Sequence, residues 1–597
     1  MTNQEIAKVL REIGEYLDMQ GVPFKPRAYE KVAEVVEALD GEISDVYREG
    51  GLKAVEDIPG VGLSIAEKIE ELLKTGKSKY YEELKKKTPV NLAELSGIQG
   101  LGPRKIGALY KELGVTNLAE LEAVALAGKI KQLKGFGEKS EQNILQGIAF
   151  LKSFGGRKPL GVVLPIARDI LRRLEGLKGV ERLEVAGSFR RRKETIGDVD
   201  ILAISDNPKP VMDFFVSMPD VVKVFAHGET KSAIKLQNGL DVDLRVVPKK
   251  SYGAALNYFT GSKDHNVALR QLAIKKGYKL NEYGLFQESK KARKQRSKGD
   301  GEWIRVAGKT EEEIYEKLGL GYIEPEMREM TGEIAAAEKH GLPKLINYGD
   351  LQGDLQTQTS WTDGADSIEQ MAEAAIEVGL HYIVVTDHTK RLAMTNGLNE
   401  KRLLEQGKEI DELNKKFNKR GFRILKGTEC DILADGTMDL SDEALQTLDV
   451  VGASVHSLFN LPKSKQTERI IRAMQNPNVD ILFHPTGRLI GKRPPYEVDM
   501  DAIITVAKET GTVLEIDAFP DRLDLKDEHI RKCVEAGVKM SIDSDAHSAT
   551  HFYVLEYGIA QARRGWATRE DIINAWPVEK MLGMLKGRAK SNEAKKQ

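Results

Sequence analysis

The chain of 597 residues is too long for one hydrophobic core, and its length alone suggests about four domains. Only two cysteines occur, Cys430 and Cys533, which excludes a disulfide-stapled scaffold; no apolar run or leader-like segment suggests a membrane span or secretion, so a cytoplasmic protein is expected. The net charge of −1 conceals two opposed halves, with about +8 on residues 1–320 and about −9 on residues 321–597. The basic half suits a polyanion such as nucleic acid, and the acidic half suits metal ions.

The first 90 residues read as helices, for example Ala28 to Leu39 with apolar Val32, Val35, Val36 and Leu39. Three Gly-apolar-Gly turns then recur: Gly60-Val61-Gly62, Gly100-Leu101-Gly102 and Gly135-Phe136-Gly137. Such a turn brings backbone N–H groups close to a phosphate at a helix N-terminus. One copy serves equally well as a tight αα-hairpin. Three copies in a basic half favour the helix-hairpin-helix logic of binding the DNA backbone without reading its sequence.

Residues 151–250 change to mixed character: a helix over Leu164 to Leu174, then strands over Arg182 to Ala186, Val199 to Ile204 and Leu240 to Val247. Asp198 and Asp200 open the second of these strands and project to one face. Paired carboxylates suit Mg²⁺ together with substrate phosphates. The preceding Gly187-Ser188 turn and Arg190-Arg191-Arg192 make a triphosphate cradle. The third strand alternates Val242, Leu244 and Val246 with Asp241, Asp243 and Arg245, so it supplies the third carboxylate that two-metal phosphoryl transfer uses. Alternation does not choose between Asp241 and Asp243.

The segment from Gly187 to Asp200 resembles the palm motif of family X DNA polymerases, the DNA polymerase beta group. Val242-Asp243-Leu244-Arg245, Tyr258-Phe259-Thr260-Gly261-Ser262 with Asn266 and Arg270, and Asn281-Glu282-Tyr283-Gly284-Leu285 agree with it in order, and Pro59 to Ile69 resembles the first helix-hairpin-helix of the lyase-like domain. The resemblance covers roughly residues 1–325 and selects Asp243. It implies that Asp198, Asp200 and Asp243 hold Mg²⁺ or Mn²⁺ and that Arg157, Gly187, Ser188, Arg191, Gly197, Gly261 and Arg270 lie at the nucleotide. It further implies that Tyr258 and Phe259 pack on the sugar and that Asn266 reaches the base. By the same likeness Lys25 binds a 5′-phosphate and Lys68 stands at the Schiff-base position, with Ser64 where eukaryotic members are basic. A helical Lys beside Glu67 and Glu70 is ordinarily a solvated partner of them, so 5′-phosphate affinity is the expectation and lyase activity its extension.

The basic run from Lys290 to Lys298 reads as an exposed loop, and the polar segment from about 326 to Lys344 as a linker. Beyond it seven strands alternate with helices and end at Asp354-Leu355-Gln356, Thr386-Asp387-His388, Gly427-Thr428-Glu429, Ser454-Val455-His456, Leu482-Phe483-His484, Leu514-Glu515-Ile516-Asp517 and Ile542-Asp543-Ser544-Asp545-Ala546-His547. This pattern predicts a parallel α/β barrel with its site at the strand C-termini. Eight of the ten histidines fall at or beyond His340, and those on the rim, with Glu429 and Asp545, suit Zn²⁺, Mn²⁺ or Fe²⁺ better than Mg²⁺.

This half resembles the PHP (polymerase and histidinol phosphatase) domain. The resemblance implies one metal site of Glu429, His456 and His484, another of Asp363, His388 and His547, and a third position with Asp545. It also implies 3′→5′ exonuclease activity, joined in some members by phosphatase or abasic-site endonuclease activity. The first motif departs from the family's Asp-Leu-His-x-His, because this chain has Gln356 and Gln358. A neutral amide binds metal more weakly than imidazole, so a weakened or metal-shifted nuclease is expected.

The expected fold is multidomain α+β and α/β. It comprises helical helix-hairpin-helix domains (1–88 and 89–150), a nucleotidyltransferase palm (151–250), a thumb (251–325), a linker (326–345), a distorted (βα)7 PHP barrel (346–585) and a polar tail (586–597). The expected function is gap-filling DNA polymerisation by a monomer on gapped or primed DNA with dNTPs and no membrane partner. The alternative is a DNA-targeted PHP hydrolase with secondary or template-independent nucleotidyl transfer.

Overall fold

The computed structural model describes the chain except for residues 2, 38, 40–41, 59, 99–100, 154, 290–302 and 586–597. Gly100, the Lys290 to Lys298 run and the polar tail therefore lie outside the described residues. The chain divides into two compact units, Met1–Gly155 with Gly491–Pro494, and Gly156–Ile490 with Pro495–Gln597. No helix among the described residues is long and apolar enough to cross a membrane.

The first unit is helical. Helix Asn3–Met19 buries Ile6, Leu10, Ile13 and Leu17 at three- and four-residue spacing, as an amphipathic helix must. The helix expected from Ala28 runs over Lys25–Glu37, because Lys25 and Pro26 fit the first turn, where a missing N–H costs nothing. The three glycine turns share one hydrogen bond. Val61, Leu101 and Phe136 each donate their N–H to the carbonyl three residues back, Ile58, Ile98 and Leu133, at 3.0 Å. Gly60 and Gly135 take φ of +84° and +87°, where a side chain would be strained. Helices Leu63–Thr75 and Pro103–Leu113 then start at Gly62 and Gly102 without a side-chain cap, and Glu138–Ser153 starts after Gly137.

The second unit opens with helix Leu160–Glu175 and a five-stranded sheet in the order Val180–Val185, Asp198–Ser205, Asp241–Val246, Lys231–Leu236 and Val221–His227. Helices Tyr252–Thr260 and Lys263–Lys275 and a three-stranded antiparallel sheet (Tyr278–Asn281, Gly284–Glu288, Trp303–Ala307) follow. Residues 326–345 are not a loose tether. Arg328 is fully buried, donates to the Ile323 carbonyl and pairs with Glu311 at 2.5 Å, while Glu333 is buried against His265 at 2.7 Å.

The remaining chain forms seven parallel strands in sequence order: Gly353–Thr357, Tyr382–Val385, Arg423–Asp431, Val450–Ser454, Ile481–Leu482, Val513–Asp517 and Met540–Asp543. All seven expected strands are present, and apart from half-buried Arg423 and Lys426 they are buried throughout, as in a parallel sheet covered by helices. The barrel is nearly closed. Its seam is stitched by buried Asn574, whose amide donates to the carbonyls of Gly353 (2.9 Å) and Ile542 (2.6 Å) and whose oxygen accepts from Ile542 N–H (3.0 Å). One backbone bridge, Gln358 N–H to the Ala546 carbonyl at 2.8 Å, joins its rim.

Two candidate metal centres

In the five-stranded sheet the central pair is parallel, with Asp198 opposite Asp241 and Asp200 opposite Asp243. Burial and then the charges of Asp198 and Asp243 push the Asp200 carboxyl up to about 6, the response of a carboxylate crowded by its own kind. Asp243 is held by Lys231 at 3.1 Å and Asp241 by Lys235 at 2.6 Å. Gly187 has φ +64°, and a Cβ there would lie 3.1 Å from Asp200 Oδ2. The turn therefore passes directly beside the carboxylates, and only glycine leaves that space open.

The three arginines expected to form one cradle diverge. Arg190 is a strut, donating to Thr260 Oγ1 (2.8 Å) and Glu311 (2.7 Å). Arg191 donates to Glu329 at 2.9 Å and to the Thr260 carbonyl, and Arg192 lies over the Phe189 and Tyr348 rings. Arg190 and Arg191 both reach Thr260, and the Arg191 guanidinium would also touch a Cβ on Gly261 at 3.0 Å. Arg157 is fixed by Thr195, donating to its hydroxyl at 3.0 Å and to its carbonyl, and closes on Gly197. Ser188 lies on the turn helix Gly187–Arg190.

Tyr258 and Phe259 make an edge-to-face pair 5.1 Å apart, with the Arg245 guanidinium 4.5 Å over Phe259. Asn266 donates to the Tyr258 carbonyl at 2.6 Å and Arg270 to the Asn266 carbonyl at 3.2 Å. In the separate helical unit, Lys68 pairs with neither Glu67 nor Glu70: it donates to the Ser64 carbonyl (2.8 Å) and hydroxyl (3.1 Å) and lies 4.9 Å over the Tyr80 ring. Glu70 instead takes Lys74 and the Tyr47 hydroxyl. Burial, with a smaller contribution from Lys25, lowers the Lys68 ammonium.

At the barrel rim two donor sets close to within 4.8 Å: Asp363, His388 and His547, and His388, Glu429 and His456. Glu429 is the hub. Its Oε1 lies 3.0 Å from His456 and 2.8 Å from His484, and its Oε2 lies 3.3 Å from His388. Burial works against its charge, but His388 and His456 more than reverse that and hold it well below the usual carboxylate range. Burial opposes charge on His456 as well, yet Glu429 and Asp431 push it up to about 9. The imidazole and carboxylate donors, with Nδ1 of His484 buried and without a hydrogen-bond partner, fit divalent metal ions.

Sequence reasoning passed over three groups here. Asp431 lies 3.4 Å from His456 Nδ1, two residues past Glu429 on one strand, so period-2 spacing could have pointed to it. Asp387 is buried and accepts from Thr359, Thr362 and Gln406. Arg522 pairs with Asp545 at 3.3 Å, and no local pattern signals it.

The comparisons agree with this architecture segment by segment. Residues 1–78 match a helix-hairpin-helix domain, 92–149 a SAM-like helix-hairpin-helix tandem, 255–329 the DNA polymerase beta thumb and 354–514 the PHP domain. The chain is 38% identical over 589 residues to the DNA polymerase/3′-5′ exonuclease PolX of Bacillus subtilis (strain 168), covering 98% of this chain and 100% of that protein. It is 25% identical to DNA polymerase lambda of Rattus norvegicus over 55% of this chain and 56% of that one. A probable phosphatase of Thermoanaerobacter sp. (strain X514) is 30% identical over 37% of this chain and 89% of its own length. With carboxylates on paired palm strands, a polymerase beta thumb and a histidine-rimmed barrel in one chain, the protein belongs to the family X DNA polymerases that carry a C-terminal PHP domain.

Proposed function

We propose that the chain fills short gaps in DNA during repair and trims primer 3′ ends with its barrel, as a cytoplasmic monomer divided at the domain limits expected above. The observation that carries the polymerase reading is Asp200 facing Asp243 across paired strands, with Asp198 beside them and the Gly187 turn against Asp200. Mg²⁺ or Mn²⁺ bound by these carboxylates would supply charge neutralisation at the triphosphate and acidify the primer 3′-OH. The 3′ oxygen forms its bond to the dNTP α-phosphorus as the bond to pyrophosphate breaks, and Asp243 accepts the hydroxyl proton. Arg191 keeps terminal N–H groups for the triphosphate while Glu329 and Thr260 fix its plane. Tyr258 and Phe259 abut the sugar and Asn266 the base. Ser188, Arg157, Gly197 and Arg270 complete the pocket.

In the barrel, Asp363, His388, Glu429, His456, His484 and His547 would hold Zn²⁺, Mn²⁺ or Fe²⁺, which supplies an acidified water for phosphodiester hydrolysis. The glycine turns at Gly60, Gly62, Gly100, Gly102, Gly135 and Gly137 carry the DNA backbone, and Lys25 takes a 5′-phosphate. A labelled primer on gapped duplex, with and without dNTPs, tests the reading. Templated growth with dNTPs and shortening without them is the expected result; retention of the DNA unchanged would reject it.

A further inference from the structure

We infer that the barrel is a two-ion centre whose third ion position is filled by the protein itself, with the Gln358 amide on Glu429 and the Arg522 guanidinium on Asp545. The inference rests on reading the barrel as a metallohydrolase and deepens it. The two converging donor sets leave out Asp545 and His484 among the described residues, and His484 already lies 2.8 Å from Glu429 Oε1. Asp545, Gln356 and Gln358, with Glu429, are the groups left to hold a third ion at the first motif.

Each is committed or unsuited. Gln358 is fully buried; its Nε2 donates to Glu429 Oε2 at 2.8 Å, which turns the donor end of the amide toward Glu429, and its Oε1 has no hydrogen-bond partner. The same oxygen lies 3.3 Å from His388, and Oε1 is shared by His456 and His484. An ion between residue 358 and Glu429 would face an N–H donor where the family pattern offers an imidazole lone pair, and it would have to break that hydrogen bond. Turning the amide over would present a neutral oxygen and leave the buried nitrogen without its acceptor.

Asp545 is 5% exposed, and its Oδ2 takes Arg522 Nε at 3.3 Å while the same nitrogen lies 3.2 Å from Asp517 Oδ2. A guanidinium is permanently charged, so it supplies in place the positive charge that Asp545 would otherwise draw from an ion. By strand alternation Gln356 shares the face of Gln358. Its amide is fully buried, and neither of its polar atoms has a hydrogen-bond partner. A buried amide of that kind suits a bridging water, and without a free carboxylate it cannot hold a divalent ion alone.

The test counts ions in the full-length chain carrying Asp200→Asn, so that the palm contributes none. The protein is stripped with chelator, reloaded with zinc alone, desalted and measured by elemental analysis, with circular dichroism to confirm folding. The expected result is two equivalents per chain, rising to three in Gln356→His/Gln358→His/Arg522→Met. Three equivalents in the parent, or two in a folded triple variant, would overturn the inference. Fewer than two in the parent, unchanged by His456→Ala, would instead sink the metallohydrolase reading underneath it.

Discussion

Glu311 is the most informative single side chain to perturb. It is 3% exposed and pairs with Arg328 at 2.5 Å and Arg190 at 2.7 Å. Burial works to raise its carboxyl, but the two arginines overcome it and bring it down to about 2 from 4.5. A folded-state value below the unfolded one means the stabilisation is complete above about pH 4.5 and is lost as pH falls toward 2. The shift corresponds to about 3 kcal/mol, in line with roughly 3–5 kcal/mol for removing one partner of a buried pair. Glu311→Gln should therefore loosen the frame around Arg190 and Thr260. Hydrogen–deuterium exchange of peptides spanning 252–260 and 311–330 reads this directly: about 3 kcal/mol is a roughly 100-fold loss of protection. The wild type should show the same loss as pH drops below about 4.5, and the variant should not. Because Arg190 and Arg191 both hold Thr260, KM for dNTP should rise more than kcat falls. Unchanged protection in the variant at neutral pH would refute the reasoning.

Asp198→Ala should abolish dNTP-dependent primer growth while leaving 3′ shortening intact, scored on one gel, since the barrel donors are separate from the palm carboxylates. Lys68 has a lowered ammonium and no carboxylate partner among the described contacts, so borohydride should trap it on a 5′-abasic end; Lys68→Ala should lose the adduct, and Lys25→Ala should weaken capture of the 5′-phosphate. Asn574→Leu strips three buried backbone groups of their partner at the seam, a cost of about 3 kcal/mol or more. It should lower the barrel's unfolding midpoint in urea, and an unchanged midpoint would count against the seam argument.

The barrel was legible because each parallel strand is a short apolar run ending in a polar motif, and the motif lands on the rim whatever the details of packing. The expected strand ending at His388 stops at Val385, yet His388 still arrives where the alternation of strands and helices put it. The palm carboxylates were legible for a similar reason: period 2 in one strand, and a parallel neighbour in register, decide their faces. The arginines were not. Arg190, Arg191 and Arg192 look alike in sequence, and what separates them is tertiary: Glu311, Glu329 and Tyr348 lie more than a hundred residues away. The ordinary pairing of Lys68 with Glu67 and Glu70 does not form either, because Lys74 one turn on and Tyr47 from another helix take Glu70.

Distant partners of the same kind also tie the palm loop to the barrel. The loop that carries Gly187 to Asp200 is not held by the palm alone. Arg564, which follows the last barrel strand, donates to the Arg191 carbonyl at 2.8 Å and pairs with Glu329 at 3.1 Å and Asp527 at 2.5 Å. Arg488, four residues past His484, pairs with Glu194 at 2.9 Å. The Arg168–Glu556 pair is more open, with its arginine 54% exposed, and contributes little. Arg564 is 5% exposed and Glu329 17%, so the interior pairs decide the loop's position. Glu329 joins Arg191, proposed above to meet the triphosphate, to Arg564, which is anchored in the barrel. The loop from Gly187 to Asp200 is therefore framed by the barrel as well as by the palm.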